Sequence, residues 1–208
     1  MFNGLNRNHR NGRVLASLLL LCLAVSLVGL GAYATFTSTV TQNQTISSGT
    51  VSIALGATGA ATNRLDIGAS NIAAGDTIQR AVNLTNNSNI SLASITVTTT
   101  ASPSNALTTD TTNGLQMVID KCSQAWTEGG TAPAYTYSCG GTSSSVVAST
   151  PVIGSGVTLN NLGILTSTGT AYLRVTLTLP SAAGNTLQNL STTITYSFTG
   201  TQRAGQAA

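Results

Sequence analysis

The sequence predicts an all-β protein, a jelly-roll-like β-sandwich of two sheets. Apolar residues recur at every second position in several stretches, which is the period of a strand with one buried face. Clusters of Gly, Pro, Asn and Ser separate those stretches. No long amphipathic helix pattern occurs, and about nine or ten short strands in one domain fit two packed sheets. No internal repeat of fixed period is present.

The chain opens with a basic cluster, Arg7, Arg10 and Arg13, and then an apolar run from Val14 to Ala32. Ala32-Tyr33-Ala34 follows, a small-x-small cleavage site of the kind that ends a secretory signal. Residues 1–34 are therefore expected to be removed after Ala34. The apolar run spans 19 residues, enough to cross a bilayer, so an uncleaved anchor is the competing reading. Cys22 lies inside this run, with Leu21 before it rather than the small residue of a lipoprotein site.

Residues 35–48 form the next unit. Phe36, Val40 and Ile46 share one parity, and Thr35, Thr37, Thr39, Thr41 and Thr45 share the other. This is a strand with one apolar face and no partner of its own, an exchangeable N-terminal arm. Thr35, Phe36, Val40 and Ile46 are its expected contacts with a neighbouring subunit.

The third unit, residues 49–208, is the sandwich. Val51, Ile53 and Leu55 resume the alternation after Gly49. Leu65–Ile67 reads as a short strand. Ala73-Ala74-Gly75-Asp76 is a turn signal. Ile78–Leu84 and Ile90–Thr100 read as two strands around the Asn86–Asn89 turn cluster, either a hairpin or a corner between sheets. Pro103–Asn113 reads as a loop. Leu115, Met117 and Ile119 then alternate toward Cys122. Val146-Val147 and Val152-Ile153 read as short apolar pairs. Leu173 to Leu179, and then Leu190, Ile194, Tyr196 and Phe198, give the last two strands.

After the signal, the chain has five basic residues (Arg64, Arg80, Lys121, Arg174, Arg203) and five acidic ones (Asp66, Asp76, Asp110, Asp120, Glu128). The formal charge of +3 for the whole sequence thus falls to about zero. No basic patch for nucleic acid exists, and membrane contact is expected only through the signal. Charged residues make up 6% of the sequence, far below the roughly 25% of a typical soluble domain, and so little charge favours association.

Two cysteines remain, Cys122 and Cys139. An even number in an exported chain predicts one disulfide, with two free thiols as the alternative; two cysteines alone make no metal ligand set. The loop between them carries Trp126, Glu128, Tyr135 and Tyr137. The aromatic residues could form a sugar platform, or could pack under the loop.

Enzyme chemistry finds little material. The only histidine is His9, within the signal, and no His-Glu-x-x-His motif occurs. Zinc catalysis and Ser-His-Asp or Cys-His chemistry all lack their central residue. Asp66, Asp76, Asp110 and Asp120 match no calcium loop and read as turn residues or strand ends. No cofactor, catalytic residue or metal ligand is expected. Asn43, Asn83, Asn86, Asn89 and Asn189 begin Asn-x-Ser/Thr sequons, a pattern common by chance in so polar a chain.

Several segments resemble one known family. Gly31-Ala32-Tyr33-Ala34-Thr35-Phe36 resembles the signal-to-mature junction of the TasA and camelysin family. Ser48-Gly49-Thr50-Val51-Ser52-Ile53 resembles its next strand, and Ala74-Gly75-Asp76 with Val82-Asn83-Leu84-Thr85-Asn86 its following segment. Leu179-Pro180, Asn185, Gln188 and Ile194–Gln202 resemble its close. The stretch from Pro103 to Gly169 does not follow the pattern. The resemblance implies a jelly-roll subunit, secreted to the cell surface or extracellular matrix, that polymerises head to tail into biofilm fibres by donor-strand complementation. Its partner would be another copy of itself, with other matrix subunits or polysaccharide as further candidates. The alternative is a monomeric surface module that binds sugar or protein through the Cys122–Cys139 insert.

Overall fold

The computed structural model describes residues 48–166 and 168–205. The signal segment, the cleavage residues Ala32 and Ala34, and the arm residues Thr35, Phe36, Val40 and Ile46 lie outside the described residues. Among the described residues no helix is long and apolar enough to cross a membrane.

The protein is built almost wholly of antiparallel strands. Ten are present among the described residues: β1 (Ile53–Leu55), β2 (Thr77–Asn86), β3 (Leu92–Ser102), β4 (Gln116–Cys122), β5 (Thr127–Gly129), β6 (Thr136–Ser138), β7 (Ser143–Pro151), β8 (Val157–Thr158), β9 (Gly169–Thr178) and β10 (Thr193–Gln202). One sheet has the order β1-β2-β9-β4-β7 and the other β10-β3-β8; β5 and β6 form a separate ribbon. The all-β expectation is met. The two larger sheets pack face to face on a shared core.

Alternation explains which face is buried. On β9, Ala171, Leu173, Val175 and Leu177 point into the core. The register sets Leu173 opposite Val82, and Val175 opposite Ile119 on the other flank. Ile95 and Val97 of β3 meet them from the second sheet. Each such side chain contributes about 1.5–3 kcal/mol when fully buried.

Asn86 to Asn89 make the corner between sheets, since β2 and β3 belong to different sheets. The corner is held by side chains. Asn86 Nδ2 donates to Ile164 O at 2.6 Å, and Asn86 Oδ1 accepts Ser88 N–H at 2.9 Å. Ser88 Oγ accepts Ser52 N–H at 2.9 Å. These bonds satisfy polar groups in a place where water does not reach.

The Ala73–Asp76 turn uses Gly75 at φ +95°, a conformation that side chains rarely tolerate. Gly75 N–H donates to Leu179 O at 2.8 Å, and Leu179 N–H returns to Asp76 O at 3.0 Å. The turn therefore closes one end of the β2–β9 pair.

Four expectations need correction. Leu65–Ile67 is a turn, because Ile67 N–H closes on Arg64 O at 3.1 Å. The Pro103–Asn113 loop holds one helical turn, α1 (Ala106–Thr109), capped by Asn105, whose side chain accepts Leu107 N–H at 3.0 Å. Val146-Val147 belongs to a nine-residue strand, β7, rather than to an isolated pair. Asp120 is no strand end: it stands within β4, opposite Arg174 of β9.

Candidate functional site

Two regions of the domain carry features beyond a packed sandwich. The first is the insert between Cys122 and Cys139. These cysteines form a disulfide with Cα atoms 5.6 Å apart. The β5–β6 ribbon between them lies over the outer face of the five-stranded sheet, where Tyr137 and Ala81 become buried together.

Charged and aromatic groups hold this layer down. Arg174 Nη2 pairs with Asp120 Oδ2 at 2.8 Å, and its guanidinium stacks 4.4 Å from the Trp126 ring. Trp126 Nε1 donates to Tyr172 O at 2.9 Å. Arg64 makes a forked pair with Glu128, at 2.7 and 3.0 Å, and lies 4.7 Å from the Tyr135 ring. Arg80 sits at a core-facing position of β2, opposite Val175, yet is 5% exposed. Its guanidinium spends its donors on backbone carbonyls: Ile67 O at 2.7 Å, Gly68 O at 2.8 Å and Pro133 O at 3.1 Å. It thus ties β2, the 67–68 loop and the insert together.

The electrostatics follow from these contacts. The Arg64 guanidinium holds the Glu128 carboxyl below its ordinary value, helped by the Tyr137 hydroxyl. Burial, reinforced by Glu128, pushes the Tyr137 hydroxyl up to about 12, so it stays a neutral donor to Glu128 Oε2 at 2.9 Å. Burial lowers Arg80 from its ordinary value, while the nearby tyrosines, Tyr137 first, oppose that shift. Backbone N–H groups of Asn113 and Thr112 depress Asp110.

No hydrolytic centre is assembled among the described residues. Glu128 is taken by Arg64 and Tyr137, Asp120 by Arg174, and Asp110 by its own turn. Asp76 accepts Ala73 N–H at 2.7 Å. Lys121 gives its ammonium to the carbonyls of Asn161 and Leu162. Histidine is absent from residues 48–205, and both cysteines there are joined. No group of three metal-ligating side chains occurs among the described residues. This donor set does not fit a catalytic zinc, which rests on His with carboxylate or Cys ligands. Trp126, Tyr135 and Tyr137 do not form an open platform either. Trp126 covers Arg174, Tyr135 lies under two arginines and Tyr137 is buried.

The second region is the flank of the sandwich at β10. This strand pairs with β3 along its whole length, from Thr193↔Ser102 to Gln202↔Leu92. Among the described residues its other edge has no strand partner. Its inward side chains, Ile194, Tyr196 and Phe198, are only half buried against the core. Arg80 lies close enough to influence the Tyr196 hydroxyl, which burial raises above its ordinary value. At the far end of the flank, Gly200 abuts Ile53, and Val51 and Leu55 stand exposed at 36% and 38%. The described chain begins beside this end, at Ser48.

Sequence reasoning singled out Cys122 and Cys139, and the structure brings them together. It missed the role of Arg80, Arg174 and Arg64, whose partners lie 53, 54 and 64 positions away in the chain. It also missed the open edge, which only strand order reveals.

No curated protein matches the chain. A family model, that of the camelysin metallo-endopeptidases, matches residues 12–120. The match covers the chain up to Asp120 in β4 and stops two residues before the disulfide-bonded insert. It spans more than half of the sequence, and the chain belongs to the camelysin metallo-endopeptidase family.

Proposed function

We propose that this chain is a secreted structural subunit that polymerises head to tail into extracellular fibres of a biofilm matrix. The N-terminal arm of one copy, Thr35 to Ile46, adds as a strand to the open flank of the next. Membership of the camelysin family supports a place at the cell surface or in the matrix.

The observation that carries the reading is β10. It is a ten-residue edge strand with no charge, no proline and, among the described residues, no second partner. Soluble proteins usually blunt such an edge with lysine, proline or a covering element. An arriving strand would satisfy its free N–H and C=O groups and cover Ile194, Tyr196 and Phe198. A contact between an arm and a distant edge is heterologous and does not close, so it yields filaments.

The peptidase activity in the family's name is not part of this reading, because the donor set described above does not fit a catalytic metal. Digestion of casein by pure protein, with and without chelator, checks that point directly. Chelator-sensitive cleavage would put a catalytic function back.

Negative-stain electron microscopy tests the fibre. The chain starting at Thr35 is compared with one starting at Gly49. Uniform filaments from the first and monomers from the second are expected. Absence of filaments from both, even when seeded, would sink the reading. Filaments from both would leave assembly standing and remove the arm as its connector.

A further inference from the structure

The outer face of the three-stranded sheet is a ladder of hydroxyl groups. The strand register sets Thr195 opposite Thr100, Ser197 opposite Thr98 and Thr199 opposite Thr96. One further Ser–Thr pair extends the ladder at each end. No charged and no aromatic side chain interrupts it, because Tyr196 and Phe198 occupy the alternate, inward positions of β10. All five outward residues of β10 are exposed. The contrast with the other sheet is sharp: there the disulfide-bonded insert covers the outer face.

The chemistry of this face limits what it can meet. Nothing on it answers a phosphate or an anionic headgroup. A sugar ring finds no aromatic plane to lie on. A copy of the same face fits both requirements. Each hydroxyl offers one donor and two acceptor lone pairs, so a hydroxyl ladder is complementary to itself. With no charge present, two such faces approach without like-charge repulsion. Same-face residues recur about every 6.7 Å along each strand and about 5 Å across, so two ladders can engage in several registers.

Size then decides how the contact behaves. Two strands of ten residues cover about 34 by 10 Å, roughly 340 Å² per copy. A pair buries about 700 Å², well below the roughly 1,200 Å² of a stable complex. A single contact is therefore too weak to hold two subunits. Many contacts presented in a row add through effective concentration. We propose that the Thr/Ser ladder of β3 and β10 is a self-adhesion surface that joins assembled copies of this chain side by side. In the fibre setting this rests on the function proposed above; the adhesion itself does not.

The test displays the mature chain densely on micrometre beads, through a C-terminal biotin on a flexible linker. Wild-type beads are expected to cluster, while the soluble protein below 50 µM (an order-of-magnitude ceiling of about that for a contact this small) sediments without lateral pairs. Beads carrying T195K/T199K, or T195E/T199E, are expected to cluster at least tenfold less. Mixing the two variant populations should restore clustering, which a misfolded variant could not do. Dispersed wild-type beads, or variant beads that cluster as strongly as wild type, would overturn the proposal. Filaments seen by microscopy without bead clustering would remove adhesion and leave the fibre reading intact; clustering without filaments would do the reverse.

Discussion

Removing the disulfide by C122A/C139A should cost the domain about 3 kcal/mol. The cysteines are 17 residues apart, and a loop of that length gives this value from loop-closure entropy in the unfolded chain. Alanine avoids placing a hydroxyl at position 122, which is 1% exposed. With a urea m-value of about 2 kcal/mol per molar, the unfolding midpoint should fall by about 1.5 M. Two probes separate global from local loss. Far-UV circular dichroism follows the two sheets, and the fluorescence of Trp126, the only tryptophan, follows the insert. In the variant the Trp126 transition should precede that of the sheets, because the ribbon is then held only by Arg64–Glu128, Arg174–Asp120 and Arg80. A midpoint shift under about 0.3 M, with the two probes still coincident, would refute the reasoning: the insert would then be an integral part of the sandwich that needs no tether.

Two further outcomes are expected. Glu128 has a folded pKa below its ordinary value of 4.5; such a group contributes stability above its unfolded pKa and loses it as pH falls through the folded one. The urea midpoint of the wild type should therefore drop more than that of E128Q on acidification below pH 4.5, and parallel profiles would exclude the Arg64 pair as the cause. Ile119 is fully buried on the core face of β4, so Ile119→Ala should cost about 3 kcal/mol and lower Tm by about 6–12 °C. Val118→Ala, on the opposite face, should cost much less, and equal losses in calorimetry would mean that the face assignment is wrong.

The regular strands were legible because burial writes a period into them. β2, β4, β9 and β10 alternate cleanly, and the sequence reading placed each within a few residues. β7 was obscured for a physical reason. Its pairing with β4 shifts register between Met117 and Ile119 and again before Asp120, so Val146 and Val147, adjacent in sequence, are both buried and no period survives. Arg80 was invisible for the opposite reason. A charge at a core position of β2 looks like an error in the pattern until the carbonyls of Ile67, Gly68 and Pro133 are seen around it. The capping box of α1 was missed because its third position is Thr108 rather than the usual Glu or Gln. The ion pairs of the insert depend on sheet register, which no local pattern encodes.

The few cations of the domain have a consequence for its survival outside the cell. Proteases that cut after Lys or Arg need an extended, accessible cation in their pocket. Among residues 48–205 there are five such residues, and four are engaged. Arg64 is forked to Glu128, Arg80 is enclosed by carbonyls, Lys121 is anchored at Asn161 and Leu162, and Arg174 is covered by Trp126. Only Arg203 is exposed, one residue beyond the end of β10. A trypsin-like enzyme can trim the chain there and leave both sheets whole. Digestion of the interior must wait for the sandwich to open, so the lifetime of the subunit among foreign proteases is set by its unfolding rate.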